Sequence, residues 1–239
     1  MRLSIIIPVL NSHEVLRRQF LHFEKMGIPL DTEIIIVDDG SEPPLEYKGE
    51  LPVTMLQTGD KRPWTWALAR NSGARIAKGE YLLMVDLDHI ITKECIEMSR
   101  TFGGDKLCIK REFGVLTEDG DLTQDLETLV KYGFPRERFN VRGLEISPLP
   151  NNFCMRKDVF WELGGYREDL FMRPYPQGED RLFKKAWCCS GKMAHPERPT
   201  IYMFPNGYIC GHVDFNPFNL FHSLSRATRR NPKYVTVGV

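Results

Sequence analysis

Tyr81-Leu82-Leu83-Met84-Val85 runs straight into Asp86-Leu87-Asp88, and this junction decides the fold. A short apolar run of this kind reads as a buried strand. Two carboxylates one residue apart at its carboxyl end suit a hard divalent cation, which prefers oxygen ligands. The crevice beyond such strand ends is where open α/β sheets hold ligands. Spacing alone says little. With 14 Asp in the chain, an Asp-x-Asp is expected about once by chance, and Asp119-Gly120-Asp121 is a second one. It has no hydrophobic strand before it and reads as a turn.

The same grammar extends outward. Leu3-Ser4-Ile5-Ile6-Ile7-Pro8-Val9 and Glu33-Ile34-Ile35-Ile36-Val37 are β-branched runs typical of buried parallel strands. Between them Val15, Leu16, Phe20, Leu21 and Phe23 keep helical spacing behind a cap at Asn11 or Ser12. A shorter strand spans Val53 to Gln57, and a helix runs from about Thr65 to Ala77, with Gly79 as its C-terminal cap. Strand and helix alternating at this spacing predict a mainly parallel α/β sheet flanked by helices, with right-handed crossovers. Residues 103–150 are polar and turn-rich and look like an insertion. From Asn152 the order returns: a strand, a helix near Lys157–Leu163, Gly164-Gly165-Tyr166, an amphipathic helix from Glu179 to Ser190, and a last strand at Thr200–Phe204.

Composition narrows the function. Lys+Arg and Asp+Glu balance at 32 each in 239 residues, so no bulk basic field exists for nucleic acid. An anionic substrate must be held locally or through a metal. No stretch approaches the roughly 20 apolar residues of a membrane span. The six cysteines show no paired zinc spacing, and the adjacent Cys188 and Cys189 are expected to be reduced core thiols of a cytoplasmic protein.

Several polar clusters have two readings each. In Asp38-Asp39-Gly40-Ser41 a carboxylate can accept hydrogen bonds from a base or a ribose, or the segment is an Asp-Gly turn. Arg70 in Ala69-Arg70-Asn71-Ser72-Gly73 can meet a phosphate or a site carboxylate, or be a surface arginine. Trp64 and Trp66 read better as packing residues than as a sugar platform. Gly178-Glu179-Asp180 opens a helix whose apolar face is Leu182, Phe183, Ala186 and Trp187. Its acids can cap the helix, or deliver a general base. His212 can complete a metal site or be structural.

In order along the chain, Ser4 to Asn11, Val37-Asp38-Asp39-Gly40-Ser41, Ala69-Arg70-Asn71-Ser72-Gly73, Gly79-Glu80-Tyr81 with Asp86-Leu87-Asp88, Gly164-Gly165-Tyr166-Arg167-Glu168 and Gly178-Glu179-Asp180 resemble the GT-A glycosyltransferases of the family-2 type. The resemblance covers roughly residues 3–212. It implies a single Rossmann-like domain over 1–215, with a nucleotide-sugar-binding half at 1–102 and an acceptor-binding and catalytic half at 103–215. It implies a nucleotide-sugar donor, an acceptor bearing a hydroxyl, and Mn2+ or Mg2+. By the same resemblance Asp39 contacts the base, with Pro8 and Leu10 flanking it, and Asp86 lies toward the ribose. Asp88 and His212 would hold the metal beside Asp86, and Arg70 would serve the donor. Asp180 matches the base of inverting members, with Glu179 beside it to orient the acceptor.

This chain departs from the pattern in places. Leu10 stands where many members carry an aromatic, and Lys61-Arg62-Pro63-Trp64-Thr65-Trp66 replaces a glycine-rich approach to the Arg-Asn motif. The chain ends soon after His212, which suggests transfer of one or a few sugars to a diffusible or presented acceptor; the expected enzyme is of hexosyl- or N-acetylhexosaminyl-transferase type with a UDP-sugar donor. In the tail 216–239, Phe218, Phe221 and Leu224 precede Arg226, Arg229 and Arg230. They read as a helix packed on the domain, or as a peripheral contact with a membrane or partner. The competing functions are a non-catalytic carbohydrate-binding or assembly protein, and a nucleotidyltransferase. Against the latter, Pro8-Val9-Leu10-Asn11 offers no glycine-rich basic loop.

Overall fold

The two most apolar segments form neighbouring strands. β1 (Leu3–Val9) and β2 (Thr32–Asp38) pair in parallel and are buried almost throughout, with α1 (His13–Met26) between them in sequence. The computed structural model describes residues 1–60, 65–147, 150–169 and 178–205. Next come β3 (Val53–Gln57), α2 (Trp66–Ile76), β4 (Tyr81–Met84), β5 (His89–Ile90), α3 (Lys93–Thr101) and β6 (Lys106–Cys108). The middle of the chain holds β7 (Lys110–Phe113), β8 (Val115–Leu116), β9 (Leu122–Thr123), α4 (Leu126–Lys131), α5 (Arg136–Arg142) and β10 (Glu145–Ile146). β11 (Phe153–Arg156), α6 (Lys157–Glu162), α7 (Glu179–Cys189) and β12 (Thr200–Met203) follow.

One sheet has the order β3-β2-β1-β4-β11-β6, with β1 to β4 parallel and β11 antiparallel to both its neighbours. Alternation along the strands divides the core in two. Ile5, Ile7, Ile34, Ile36 and Leu83 face the side of α1 and α3, with Phe20, Phe23 and Ile96. Ile6, Ile35, Val37, Leu82 and Met84 face α2, α6 and α7, with Ala69, Phe160, Phe183 and Trp187. Each such side chain contributes about 1.5–3 kcal/mol by leaving water, so the strand register is strongly specified. At Gly73, α2 seats directly on the sheet: a Cβ there would lie 2.6 Å from Ile6 Cγ2.

A second, four-stranded sheet has the order β10-β7-β12-β5. It sits where β4 releases the chain into β5, so it braces the turn carrying Asp86 and Asp88. The described residues form one α/β domain, as expected, and none of their helices is long and apolar enough to cross a membrane.

Four local expectations are corrected. Residues 103–150 are not simply an insertion: Lys106–Cys108 forms the far edge of the main sheet against β11. Gly79 does not cap α2, which ends at Ile76 with Ala77 as its cap. Its amide instead donates to Ser4 Oγ at 2.8 Å, and a Cβ would strike the Ser4 backbone nitrogen at 2.5 Å. Ser12 begins α1 without a side-chain bond to the helix; its hydroxyl turns back to the Leu10 carbonyl. Cys188, Cys189 and Leu182 are exposed, because α7 buries only the face of Glu179, Phe183 and Trp187.

Candidate active site

The carboxyl ends of β1, β2 and β4 adjoin, since β1 pairs with both of the others. At the β1 end Pro8 and Leu10 are half-buried. Asn11 takes a positive φ of 50° and staples the loops after β1 and β2: Asn11 N donates to Ser41 Oγ and Glu42 N donates to Asn11 Oδ1, each at 2.9 Å.

At the β2 end the two aspartates have separate tasks. Asp38 accepts from the backbone N–H groups of Gly40, Ser41 and Leu45 at 3.3, 2.8 and 3.0 Å. It therefore shapes the turn. Among the described residues Asp39 accepts from two hydroxyls, that of Thr58 at 3.0 Å and that of Thr65. Burial pushes its carboxyl up to about 6, against the pull of those two hydroxyls.

At the β4 end, the Arg70 guanidinium of α2 reaches Asp86 and lies 3.7 Å from Glu179 at the start of α7. Arg70 is buried, and its ring neighbour Tyr166 lies 5.4 Å below the guanidinium. Burial raises the Tyr166 hydroxyl, Arg70 opposes this, and Asp86, Glu179 and Asp180 add to the rise. These charges therefore converge on one place. Asn71 fixes Tyr166 by accepting from its N–H at 3.0 Å and donating to its carbonyl at 2.8 Å. Glu179 turns inward; burial raises its carboxyl while Arg70 opposes the rise. Asp180 is half-buried, and its carboxylate accepts from Arg181 N at 2.7 Å. The paired side chain at this helix start is thus Glu179, not Asp180.

Asp88 Oδ1 lies 2.6 Å from His89 Nδ1. Burial opposes its ionisation, but the hydrogen bond from His89 and the charge of Arg111 hold the carboxyl below its ordinary value. Ligand atoms of Asp86, Asp88 and His89 lie within 4.8 Å of one another. The two carboxylates are hard oxygen donors and fit Mn2+ or Mg2+. The turn itself is held from behind by Gln19 of α1, whose amide donates to the carbonyls of Leu87 and His89 at 3.1 and 2.8 Å.

Sequence reasoning passed over Gln19, His89 and Arg111, and saw in Asn11 a helix cap rather than a staple between two loops. Gln19 had a signal, since it interrupts the apolar stripe from Val15 to Phe23. His212, Trp64, the 61–64 approach and the tail 216–239 lie outside the described residues.

Residues 4–164 match the family model "Glycosyl transferase family 2"; Glu179 and Asp180 lie beyond that stretch. The chain is 33% identical over 102 residues to "Glycosyltransferase GlyG" of Streptococcus pneumoniae, covering 40% of this chain and 33% of the relative. It is 29% identical over 110 residues to the poly(ribitol-phosphate) beta-N-acetylglucosaminyltransferase TarS of Staphylococcus aureus, covering 43% of this chain and 19% of that protein. The chain thus spans about a third or less of these relatives. Among solved structures, TarS 1–349 in complex with UDP-GlcNAc aligns over 83% of this chain and 57% of its own, with TM-score 0.55 at 19% identity. The mannosyltransferase PcManGT of Pyrobaculum calidifontis, in complex with GDP-Man and Mn2+, aligns over 99% of this chain and 72% of its own, with TM-score 0.53 at 13% identity. At such identities the likeness to the solved structures is one of fold.

Proposed function

The chain belongs to glycosyl transferase family 2, and from that premise we propose that it moves a sugar from a nucleoside-diphosphate donor to an acceptor hydroxyl with inversion. The observation that supports the reading is that Asp39, Asp86 and Asp88 follow the carboxyl ends of β2 and β4, the two strands flanking β1, and that Arg70 links Asp86 to Glu179 at the start of α7. The UDP-GlcNAc and GDP-Man complexes of similarly folded proteins support a nucleotide-sugar donor, and UDP is the preferred one.

Residues 1–102 then bind the donor, with Asp39 accepting from the base and Pro8 and Leu10 walling it. Residues 103–215 supply the acceptor surface and the base. Asp86 and Asp88 would hold Mn2+ or Mg2+, with His212 a further candidate. A divalent cation there offsets the charge that grows on the leaving diphosphate. Asp180 takes the proton of the acceptor hydroxyl as its oxygen bonds to the anomeric carbon and the sugar–phosphate bond breaks. Arg70, paired on one side with Glu179, holds Asp86 in orientation. Glu179 acts through Arg70 in this scheme, and so is a positioning residue.

The test is a screen of UDP-sugars for binding and slow hydrolysis with Mn2+. Asp180→Asn should lower turnover about 10²–10⁴-fold, the usual contribution of a general base, while UDP binding stays near normal. Asp88→Asn should instead remove the Mn2+ dependence of UDP binding. UDP affinity indifferent to chelator, or a product that keeps the donor's anomeric configuration, would overturn the reading.

A further inference from the structure

We propose that His89 is the hydrogen-bond donor that fixes the Asp88 carboxylate, that Arg111 locks the imidazole into this role, and that His89 is not itself a metal ligand. The inference rests on the reading of Asp88 as a cation-holding residue and adds how that residue is held.

Hydrogen bonding assigns the imidazole proton. Arg111 Nη1 lies 3.1 Å from His89 Nε2. A guanidinium has donors and no acceptor, so Nε2 must present its lone pair. A doubly protonated ring would instead set two N–H groups and two positive charges against each other. The imidazole is therefore neutral, with its one proton on Nδ1, and that proton points at Asp88 Oδ1 2.6 Å away. Both ring nitrogens are then committed: Nδ1 carries the proton and Nε2 serves Arg111. No lone pair remains for a cation, although the ring stands within ligand range of the two aspartates.

The lock is anchored in the second sheet. Arg111 is buried in β7, and its Nε donates to the Ser147 carbonyl at 3.0 Å. Nη2 donates to the same carbonyl, and Nη1 also approaches Met203 Sδ of β12 at 3.4 Å. His89 is buried at the start of β5, with its backbone carbonyl held by Gln19 at 2.8 Å. Ring and backbone are thus fixed from different elements. Partners one step behind a metal ligand typically change metal affinity 10–100-fold when removed, and the Arg111–His89–Asp88 chain has that form.

Nitrogen-15 shifts of the metal-free full chain test the assignment directly, and His89 should show the Nδ1–H tautomer. Titration with Mn2+ alone should then show His89→Ala losing about 10–100-fold in affinity. His89→Asn should recover most of that loss, because its amide N–H sits near the position of Nδ1–H. Arg111→Met should release the tautomer and weaken Mn2+ several-fold, and it carries the test if His89→Ala fails to fold. Nitrogen hyperfine coupling to bound Mn2+ should be the same in wild type and His89→Asn. An Nε2–H tautomer, unchanged affinity in His89→Ala, or coupling lost in His89→Asn would overturn the proposal. Asp88→Asn in the same titration separates it from the functional reading. Unchanged Mn2+ uptake there would sink the site assignment, and the role of His89 with it. Uptake abolished by Asp88→Asn but untouched by His89→Ala would sink the His89 role alone.

Discussion

β2 and β4 each lead into a pair of aspartates, but the two pairs are held by opposite kinds of partner. Among the described residues Asp39 meets the hydroxyls of Thr58 and Thr65, and burial wins: its carboxyl rises to about 6. Asp88 is half-buried, yet the His89 N–H and the Arg111 charge outweigh the loss of solvent and hold its carboxyl down. Asp86 is gripped by Arg70. A carboxylate among neutral donors keeps spare capacity and suits a neutral ligand group such as a base or ribose. A carboxylate backed by positive or proton-donating side chains stays ionised and suits a cation. The difference lies in what each neighbouring helix and sheet offers the strand end.

The most disruptive change should be Arg70→Met. It strands Asp86 and Glu179, one of them deeply buried. Breaking a buried ion pair from one side costs about 3–5 kcal/mol, and the access of Asp86 to water puts this case near about 3 kcal/mol. Urea unfolding would measure it. A loss under about 1 kcal/mol would mean that the β4 pair does not depend on its cation.

Asp38→Ala comes next, at about 2–3 kcal/mol, because three backbone N–H groups lose a charged acceptor. Asp39→Asn should do the reverse. The folded protein holds the Asp39 proton up to about pH 6, whereas the ordinary value is 3.8. Between those values folding takes up a proton, so this residue's contribution to stability falls as pH rises. Above pH 6 the full cost is present, on the order of 2–3 kcal/mol. Asp39→Asn should therefore raise stability by about 2 kcal/mol at pH 8 and by little at pH 4, while weakening UDP binding by about 1–3 kcal/mol. If instead Asp39→Asn destabilised the fold equally at both pH values, the contrast between the two strand ends would fail.

Sequence made the first of these layers readable. Ile5 to Ile7 and Ile34 to Ile36 form unbroken β-branched runs, and Asp39, Asp86 and Asp88 stand out because they interrupt such runs at their ends. The second layer has no comparable signal. β5, β8, β9 and β10 have two residues each, too few for any periodicity. The contact of Arg111 with His89 joins residues 22 apart, and that of Gln19 with His89 joins residues 70 apart. Nothing local announces such pairings. The apolar stripe expected on α7 is too wide by Leu182, which is exposed, and Ala186, which is half-buried, since the helix buries only Phe183, Trp187 and Glu179.

The smallest effect should come from Thr58→Val, which removes one of the hydroxyls on Asp39 and leaves the other. Thr58 Oγ1 donates to Asp39 at 3.0 Å and accepts from Asp60 N at 3.2 Å, so the change also loosens the loop after β3. The stability cost should be about 1 kcal/mol. The more telling readout is pH. Protonation removes the acceptor that a base would use, so UDP affinity should fall as pH drops through about 6. Without the Thr58 hydroxyl the carboxylate loses a stabilising donor, and the midpoint of that fall should move higher. Titrating UDP binding from pH 5 to 8 on wild type and variant isolates the shift, since ionisation of the diphosphate is common to both. A midpoint that stayed put would show that Thr65 alone governs Asp39. A midpoint that moved down would show that the hydroxyl acts on the neutral acid, and the account of the β2 end would have to be inverted.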